Sequence, residues 1–410
     1  CHVRLLVKVL RSGVHTFLEY RNALVSTDQA RNIAGTFDKI LTQILTSSAT
    51  LVGDVDFMSQ RNKLQLEKWN DKPLLHVKRT IHELIRETAQ KYPAREAICA
   101  WDGSLSYADL MEASYRLASF LIEERVGPEV VVPLCFDKSK WYPVAMLAVL
   151  FAGGAFLPLD PSNPRQRIEH LVKFTNARIV LCSRNHNGLL AGVADKVLAV
   201  DAPSVESLDC STQYPGSRAE SQNAAYIIPT SGTTGQPKLT LIEHGNFCTG
   251  ARGHVPAMLM DVSDPVRVLQ FAAHSFDASL VEILTPLMIG GTVCIPDEQA
   301  RLNDVMRVIN VTQVNWTSLT PTFVRFLEPS MVPTLATIVL MGEAMSRSDM
   351  ETWSQINLVN GYGPSETSVA AVACKKTGND DPKNIGYPIS SRAWVVSPED
   401  YNRRKYREMS

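Results

Sequence analysis

Apolar residues recur at helical spacing near the start of the chain. Between residues 28 and 46, Ile33, Phe37, Ile40, Leu41, Ile44 and Leu45 fall on one face of a 3.6-residue period, which predicts an amphipathic helix. Residues 54–70 read as a polar connection running into a short helix. The aperiodic stretch DKPLLHVKRT that follows reads as a linker, and residues 81–91 as another amphipathic helix. From about residue 95 the pattern changes. Short apolar runs at 130–135, 178–182, 196–200, 224–229, 293–296, 313–316, 337–341 and 357–359 predict strands. Helix-like runs at 107–124, 165–174, 280–287, 302–310 and 321–327 separate them. Apolar strands alternating with helices imply α/β architecture with mainly parallel, buried strands.

One stretch imitates a membrane span, because residues 141–159 carry no charge. Pro143, the Gly153-Gly154 pair and Pro158 argue instead for a buried helix over about 142–151, a glycine turn and a short strand. No repeat or low-complexity tract is visible. The 410 residues are 45% hydrophobic and 20% charged, an ordinary globular composition, and the formal net charge is −1. Such a chain has no electrostatic reason to bind nucleic acid or an anionic membrane non-specifically. The eight cysteines are scattered without a CxxC pair, which suits reduced thiols in a cytoplasmic protein. No signal-peptide pattern opens the chain, Cys1 stands first, and a basic run closes it, so a piece of a longer protein is expected.

The chemistry concentrates in YIIPTSGTTGQPK, residues 226–238. A strand feeds a loop in which Gly232 and Gly235 let backbone N–H groups face an anion. Thr230, Ser231, Thr233 and Thr234 add hydroxyl donors and Lys238 adds a positive charge. This is a phosphate-cradling loop, though not the Walker A pattern. The alternative is a plain surface turn, which the closing lysine disfavours.

The string TSGTTGQPK resembles the phosphate-loop signature of the adenylate-forming (AMP-binding) superfamily, and further segments resemble its motifs in the same order. They are LSYADL at 105–110, LAVLFAGGAFLPLDP at 147–161, SFDAS at 275–279, NGYGPSE at 360–366 and IGYPI at 385–389. The resemblance covers roughly residues 67–400 and is closest to adenylation domains of nonribosomal peptide synthetases of fungal type. It implies a domain at 67–410, the large N-terminal subdomain of that fold: two mainly parallel sheets flanked by helices, plus a small β-barrel part. The C-terminal subdomain, with its catalytic lysine and the ribose-gripping Asp, is expected to be missing and an isolated chain to be impaired. Residues 1–66 resemble the tail of a condensation domain with its linker; the bland alternative is an ordinary helical extension.

The resemblance further implies roles. Thr230, Ser231, Gly232, Thr233, Thr234, Gly235 and Lys238 would hold phosphates, with Thr230, Lys238 and Glu366 catalytic and Glu366 a Mg²⁺ ligand. Gly342, Glu343, Ala344, Asn360, Gly361, Tyr362, Gly363 and Ser365 would line the nucleotide, the Tyr362 ring lying on adenine. Asp277 would meet the substrate α-ammonium, the alternative being a helix N-cap. Ala278, Val281, Ser318, Val339, Met341, Gly361, Val369 and Ala370 would surround the substrate side chain. All but Ser318 lack a polar group, so an apolar amino acid of medium to large size is expected, with Gly361 and Val281 leaving room. The implied reaction is ATP- and Mg²⁺-dependent formation of an aminoacyl-adenylate, then transfer to the phosphopantetheine thiol of a carrier protein beside a condensation domain. The alternatives are an acyl-CoA or aryl-acid ligase on the same fold, or an inactive remnant. One departure stands out: the family usually has Gly after the loop lysine, and here Leu239 could displace the loop. His244 and His274 are read as structural. Phe276 is read as a lining of the thiol tunnel or as a core residue.

Overall fold

The uncharged run at 141–159 folds as its prolines and glycines dictate. Trp141–Phe151 is a helix buried on all sides, Gly153 turns the chain at φ 89°, and Ala155–Leu159 is a fully buried strand. A side chain on Gly154 would meet Val126 and the Val130 carbonyl within 3 Å, so the turn lies flat against its neighbours. The computed structural model describes residues 3–11, 13–47, 51–70, 74–208, 211–230, 238–260 and 265–393.

The chain divides into two compact units, Cys1–Leu74 and Leu75–Ser410. The first holds an antiparallel hairpin, Val3–Leu10 with Gly13–Tyr20, and the helices Thr27–Thr46 and Gln60–Asn70. A Ser26/Gln29 capping box starts the longer helix. The division falls inside the aperiodic stretch after the second helix rather than at residues 66 and 67, which lie within that helix. Ala30 is this unit's only buried apolar residue among those described, whereas Leu5, Val7, Phe17 and Trp69 are exposed.

The second unit carries the α/β architecture. One sheet of six strands runs Lys238–Glu243, Ala224–Thr230, Ala155–Leu159, Val131–Cys135, Ile179–Cys182, Lys196–Ala199, parallel except for the first pair. The other, of nine, runs Tyr387–Pro388, Val372–Lys376, Asn357–Tyr362, Thr337–Leu340, Trp316–Leu319, Arg267–Leu269, Thr292–Ile295, Glu96–Ala100, Gly103–Ser106. Its inner strands are parallel and both edges antiparallel. Both sheets are open in strand order, so among the described residues they do not form the small barrel. A single hydrophobic cluster unites the helices Ile81–Lys91, Tyr107–Glu123, Trp141–Phe151 and Ala278–Ile289 with strands of both sheets.

Two elements differ from expectation. The strand expected at 313–316 lies at Trp316–Leu319, because Gln313 takes φ 55° and its segment closes the preceding helix. The helix expected at 302–310 is two, Glu298–Asn303 and Val305–Val311, broken at Asp304. Among the described residues no helix is long and apolar enough to cross a membrane.

Candidate active site

The strand Asn357–Tyr362 ends in a tight passage. A Cβ on Gly363 would stand 2.2 Å from the Val369 carbonyl oxygen and 2.7 Å from the Ala370 Cα, so only glycine lets the strand end approach residues 369–371. The Ala371 N–H donates to the Tyr362 carbonyl at 3.0 Å. Between them a 3₁₀ turn, Ser365–Thr367, leads into Ser368 and Val369 at φ 61° and 73°. A β-branched residue in the left-handed region is strained, and such strain gathers at functional loops. The 52%-exposed Tyr362 ring and the exposed Glu366 flank this passage.

Asp277 comes to the same place from the helix Ala278–Ile289. It occupies the N-cap position but has helical backbone angles, and its side chain makes no capping hydrogen bond. The cap alternative therefore fails on geometry. Its Oδ2 is buried without a partner. Burial pushes the carboxyl above its ordinary value and the Glu366 charge acts in the same sense, while the Ser365 hydroxyl and backbone N–H groups oppose them. The Tyr226 hydroxyl lies 3.3 Å from Ser368 Oγ, so the strand Ala224–Thr230 reaches the far wall of the same passage.

The expected side-chain lining comes together on one sheet face. Ser318 and Val339 are register partners, as are Val339 and Val359; Met341 and Gly361 lie two residues further along their segments, on the same side of the pleat. Val281, Val339, Val369 and Ala370 share a cluster with Met341 packed on it. Ala278 opens the helix above. Gly361 packs closely on that lining: a Cβ there would meet Met341 Cγ at 2.9 Å and Val339 Cγ1 at 3.2 Å.

Of the residues expected to line the nucleotide, Gly342, Glu343, Ala344 and Tyr362 are exposed, Gly363 and Ser365 are half-buried, and Asn360 and Gly361 are buried. Gly342, at φ 85°, turns the chain after Thr337–Leu340, and Glu343 and Ala344 follow on the surface. Glu343 accepts from the Thr322 backbone N–H at 3.0 Å and hydroxyl at 2.6 Å. The buried Asn360 amide donates to the carbonyls of Pro382 and Asn384 at 3.4 and 3.3 Å, which ties the strand to that loop. Thr230 and Lys238 are register partners, and the Thr230 hydroxyl donates to the Lys238 carbonyl at 3.3 Å. The intervening Ser231, Gly232, Thr233, Thr234 and Gly235 lie outside the described residues. Leu239 pairs with Pro229 and packs on the cluster holding Ile227, so its bulk is absorbed in the sheet.

Phe276 is 65% exposed, which removes the core reading. His244 is fully buried and accepts from the Ile81 N–H at 3.3 Å; burial takes it down to about 4. His274 stacks on Tyr142 at 3.6 Å, and burial holds it well below the usual histidine value. Among the described residues no group of three His, Cys, Asp or Glu is placed to hold a metal ion. The exposed Glu366 carboxylate is a donor that suits Mg²⁺, which is commonly held by one or two carboxylates together with substrate phosphates.

Sequence reasoning missed Lys138, Gln270 and Glu282, all buried within the second unit. The available signal was Glu282 itself, the only charge in the apolar helix Ala278–Ile289.

Residues 85–405 match the family model described as AMP-binding enzyme. Nonribosomal peptide synthetase 1 of Aspergillus fumigatus is 48% identical over 404 residues, covering 98% of this chain and 6% of that protein. Nonribosomal peptide synthetase 4 of Gibberella zeae is 44% identical over 396 residues, covering 95% of this chain and 5% of that protein. The chain therefore spans a small part of these relatives' length. Among solved structures, nonribosomal peptide synthetase FmoA3 bound to α-methyl-L-serine-AMP superposes with a TM-score of 0.81 at 21% identity, over 97% of this chain and 46% of that one. The Klebsiella oxytoca NpsA N-terminal subdomain in complex with 3-hydroxybenzoyl-AMSN gives 0.65 at 22% identity, over 77% of this chain and 80% of that one. The family model spans most of the second unit, from the helix Ile81–Lys91 through both sheets, and this chain belongs to the AMP-binding enzyme family.

Proposed function

We propose that this chain activates an α-amino acid as its aminoacyl-adenylate within a nonribosomal peptide synthetase. The observation that carries the reading is Asp277, a carboxylate with an unpartnered buried oxygen at the head of an apolar-lined site. A buried carboxylate needs a counter-charge. A substrate α-ammonium supplies it, while a fatty or aryl acid does not. The fungal relatives' names support the same class.

In this reading Asp277 orients the amino acid, and the apolar wall from Val281 to Ala370 rejects charged side chains, since an unpaired buried charge is expensive. Tyr362 offers its exposed face to adenine. Thr230, Lys238 and the loop between them receive phosphate oxygens, and Glu366 contributes one ligand to Mg²⁺. Bound Mg²⁺ would supply charge neutralisation on the phosphates. The protein's work is positioning and electrostatic stabilisation, as in other phosphoryl-type transfers. The product would pass to a carrier-protein phosphopantetheine, and the protein would act in the cytoplasm. Residues 1–66 are the end of a condensation domain; the first unit's scarcity of buried apolar residues supports this, because such a segment needs a larger body to complete its core.

Amino-acid-dependent pyrophosphate exchange by the synthetase that contains this chain tests the reading. Exchange with an apolar amino acid is expected. Exchange driven by aryl or fatty acids, or by Glu or Lys, contradicts it.

A further inference from the structure

The segment between the strand Arg267–Leu269 and Asp277 has no regular structure, yet every backbone polar group of residues 270–272 has a partner. The Gln270 N–H donates to the Cys294 carbonyl at 2.8 Å. The Phe271 and Ala272 N–H groups both donate to Glu282 Oε2, each at 2.9 Å. Lys138 Nζ donates to the Ala272 carbonyl at 2.7 Å and to the Gln270 carbonyl at 3.4 Å. Arg301 donates to the Phe271 carbonyl at 3.4 Å. Gln270 joins the two charges: Lys138 Nζ donates to its Oε1 at 2.5 Å, and its Nε2 donates to Glu282 Oε2 at 3.1 Å. Gln270 and Glu282 are fully buried and Lys138 nearly so. The Trp101 indole N–H fixes Lys138 in turn, donating to its carbonyl at 2.7 Å.

We infer that Lys138, Gln270 and Glu282 form a buried positioning device for Asp277, and that they set the preference for a substrate carrying an α-ammonium. This rests on the role proposed above for Asp277. Three features carry it. A buried ion pair is a poor way to gain stability, since apolar residues of similar volume often do as well or better. Here both ionisable side chains grip backbone rather than each other. The gripped backbone leads directly to Asp277: the Phe276 N–H donates to the Ala273 carbonyl at 3.0 Å, and the Ser279 hydroxyl donates to the Phe276 carbonyl at 2.7 Å. Glu282 also lies on the helix that Asp277 begins, so one carboxylate fixes both the approach to Asp277 and the helix behind it.

The test compares two probes on the same chain: an apolar aminoacyl-sulfamoyladenosine and its desamino counterpart. A merely structural role weakens both alike, whereas a positioning role lowers only the amino preference. A misplacement of about 1 Å costs on the order of a hundredfold, so in K138M/E282Q the affinity ratio should fall roughly tenfold or more while desamino binding stays within about twofold. Should that variant not fold, Gln270→Met removes the bridge without changing charge, and a fall of about threefold or more in the ratio is expected. An unchanged ratio in a folded variant overturns the inference. Asp277→Asn separates the two levels. If it abolishes the amino preference while the relay variants leave it intact, the relay is structural and the proposed function stands. If Asp277→Asn leaves the preference intact, or no apolar probe binds the unmodified chain, the proposed function fails and this inference with it.

Discussion

The two halves of the proposed site are built by opposite means. The amino-acid half comes from core elements: Val281, Val339, Val369 and Ala370 are buried, and the backbone that precedes Asp277 is gripped by buried side chains. The nucleotide half is largely at the surface, where Tyr362, Glu343, Glu366 and Lys238 are exposed, although Asn360 and Gly361 are buried in the strand Asn357–Tyr362. The first half is pre-organised by packing and tolerates little change. The second offers donors and faces that a ligand must bring together. Perturbing the first half should therefore act on amino-acid choice or on folding, and perturbing the second on nucleotide affinity.

Asp277→Ala is the sharpest cut. Removing one member of a buried pair costs about 3–5 kcal/mol, so affinity for the aminoacyl-adenylate analogue should fall several hundredfold. Thermal melts should show little loss, because Asp277 makes no capping hydrogen bond to lose. A drop of ~1 kcal/mol in stability with near-normal affinity would instead restore the cap reading.

Acid should weaken folding through the buried histidines. Burial takes His244 and His254 down to about 4. An unfolded chain protonates them near 6.5, so their contribution to stability is complete above that pH and is lost as pH falls toward 4. The loss is on the order of 3 kcal/mol for each. Chemical denaturation across this window checks it, with His254→Gln flattening the slope.

Gly363→Ala forces a Cβ against the Val369 carbonyl and should cost about 1–3 kcal/mol of stability, with disturbed binding of both ligand halves. Tyr362→Ala should cost ~1–3 kcal/mol in affinity for any adenosine analogue, with the amino-acid preference and the melting temperature unchanged. Calorimetry with the amino and desamino probes reads both.

Much of this was legible in the chain, for physical reasons that differ by element. Thr80 and Glu83 form the capping box that starts the helix Ile81–Lys91, and the apolar period fixes its length, so the expected bounds match. The glycine pair between the buried helix and strand at 141–159 was equally readable. The strand Trp316–Leu319 was misplaced because Val311, Thr312, Val314 and Trp316 favour strand on both sides of the left-handed turn at Gln313, which has no local signature. The hairpin Val3–Gly13–Tyr20 was overlooked although its turn carries a glycine at φ 133°. In the site, motif residues could be named from their order, but not the Lys138–Gln270–Glu282 relay. Lys138 lies 132 residues before Gln270, and only the tertiary fold joins it to Gln270 and Glu282.

The central claim is that Asp277 selects an ammonium. Calorimetric titration of the unmodified chain with an apolar aminoacyl-sulfamoyladenosine and its desamino counterpart, repeated across pH, tests it most directly. The account predicts a preference for the amino probe of about a hundredfold or more. Because burial raises the Asp277 carboxyl, that preference should begin to fade on acidification above the usual carboxylate range. Equal affinities for the two probes, or a preference that does not change with pH down to 4, would contradict it.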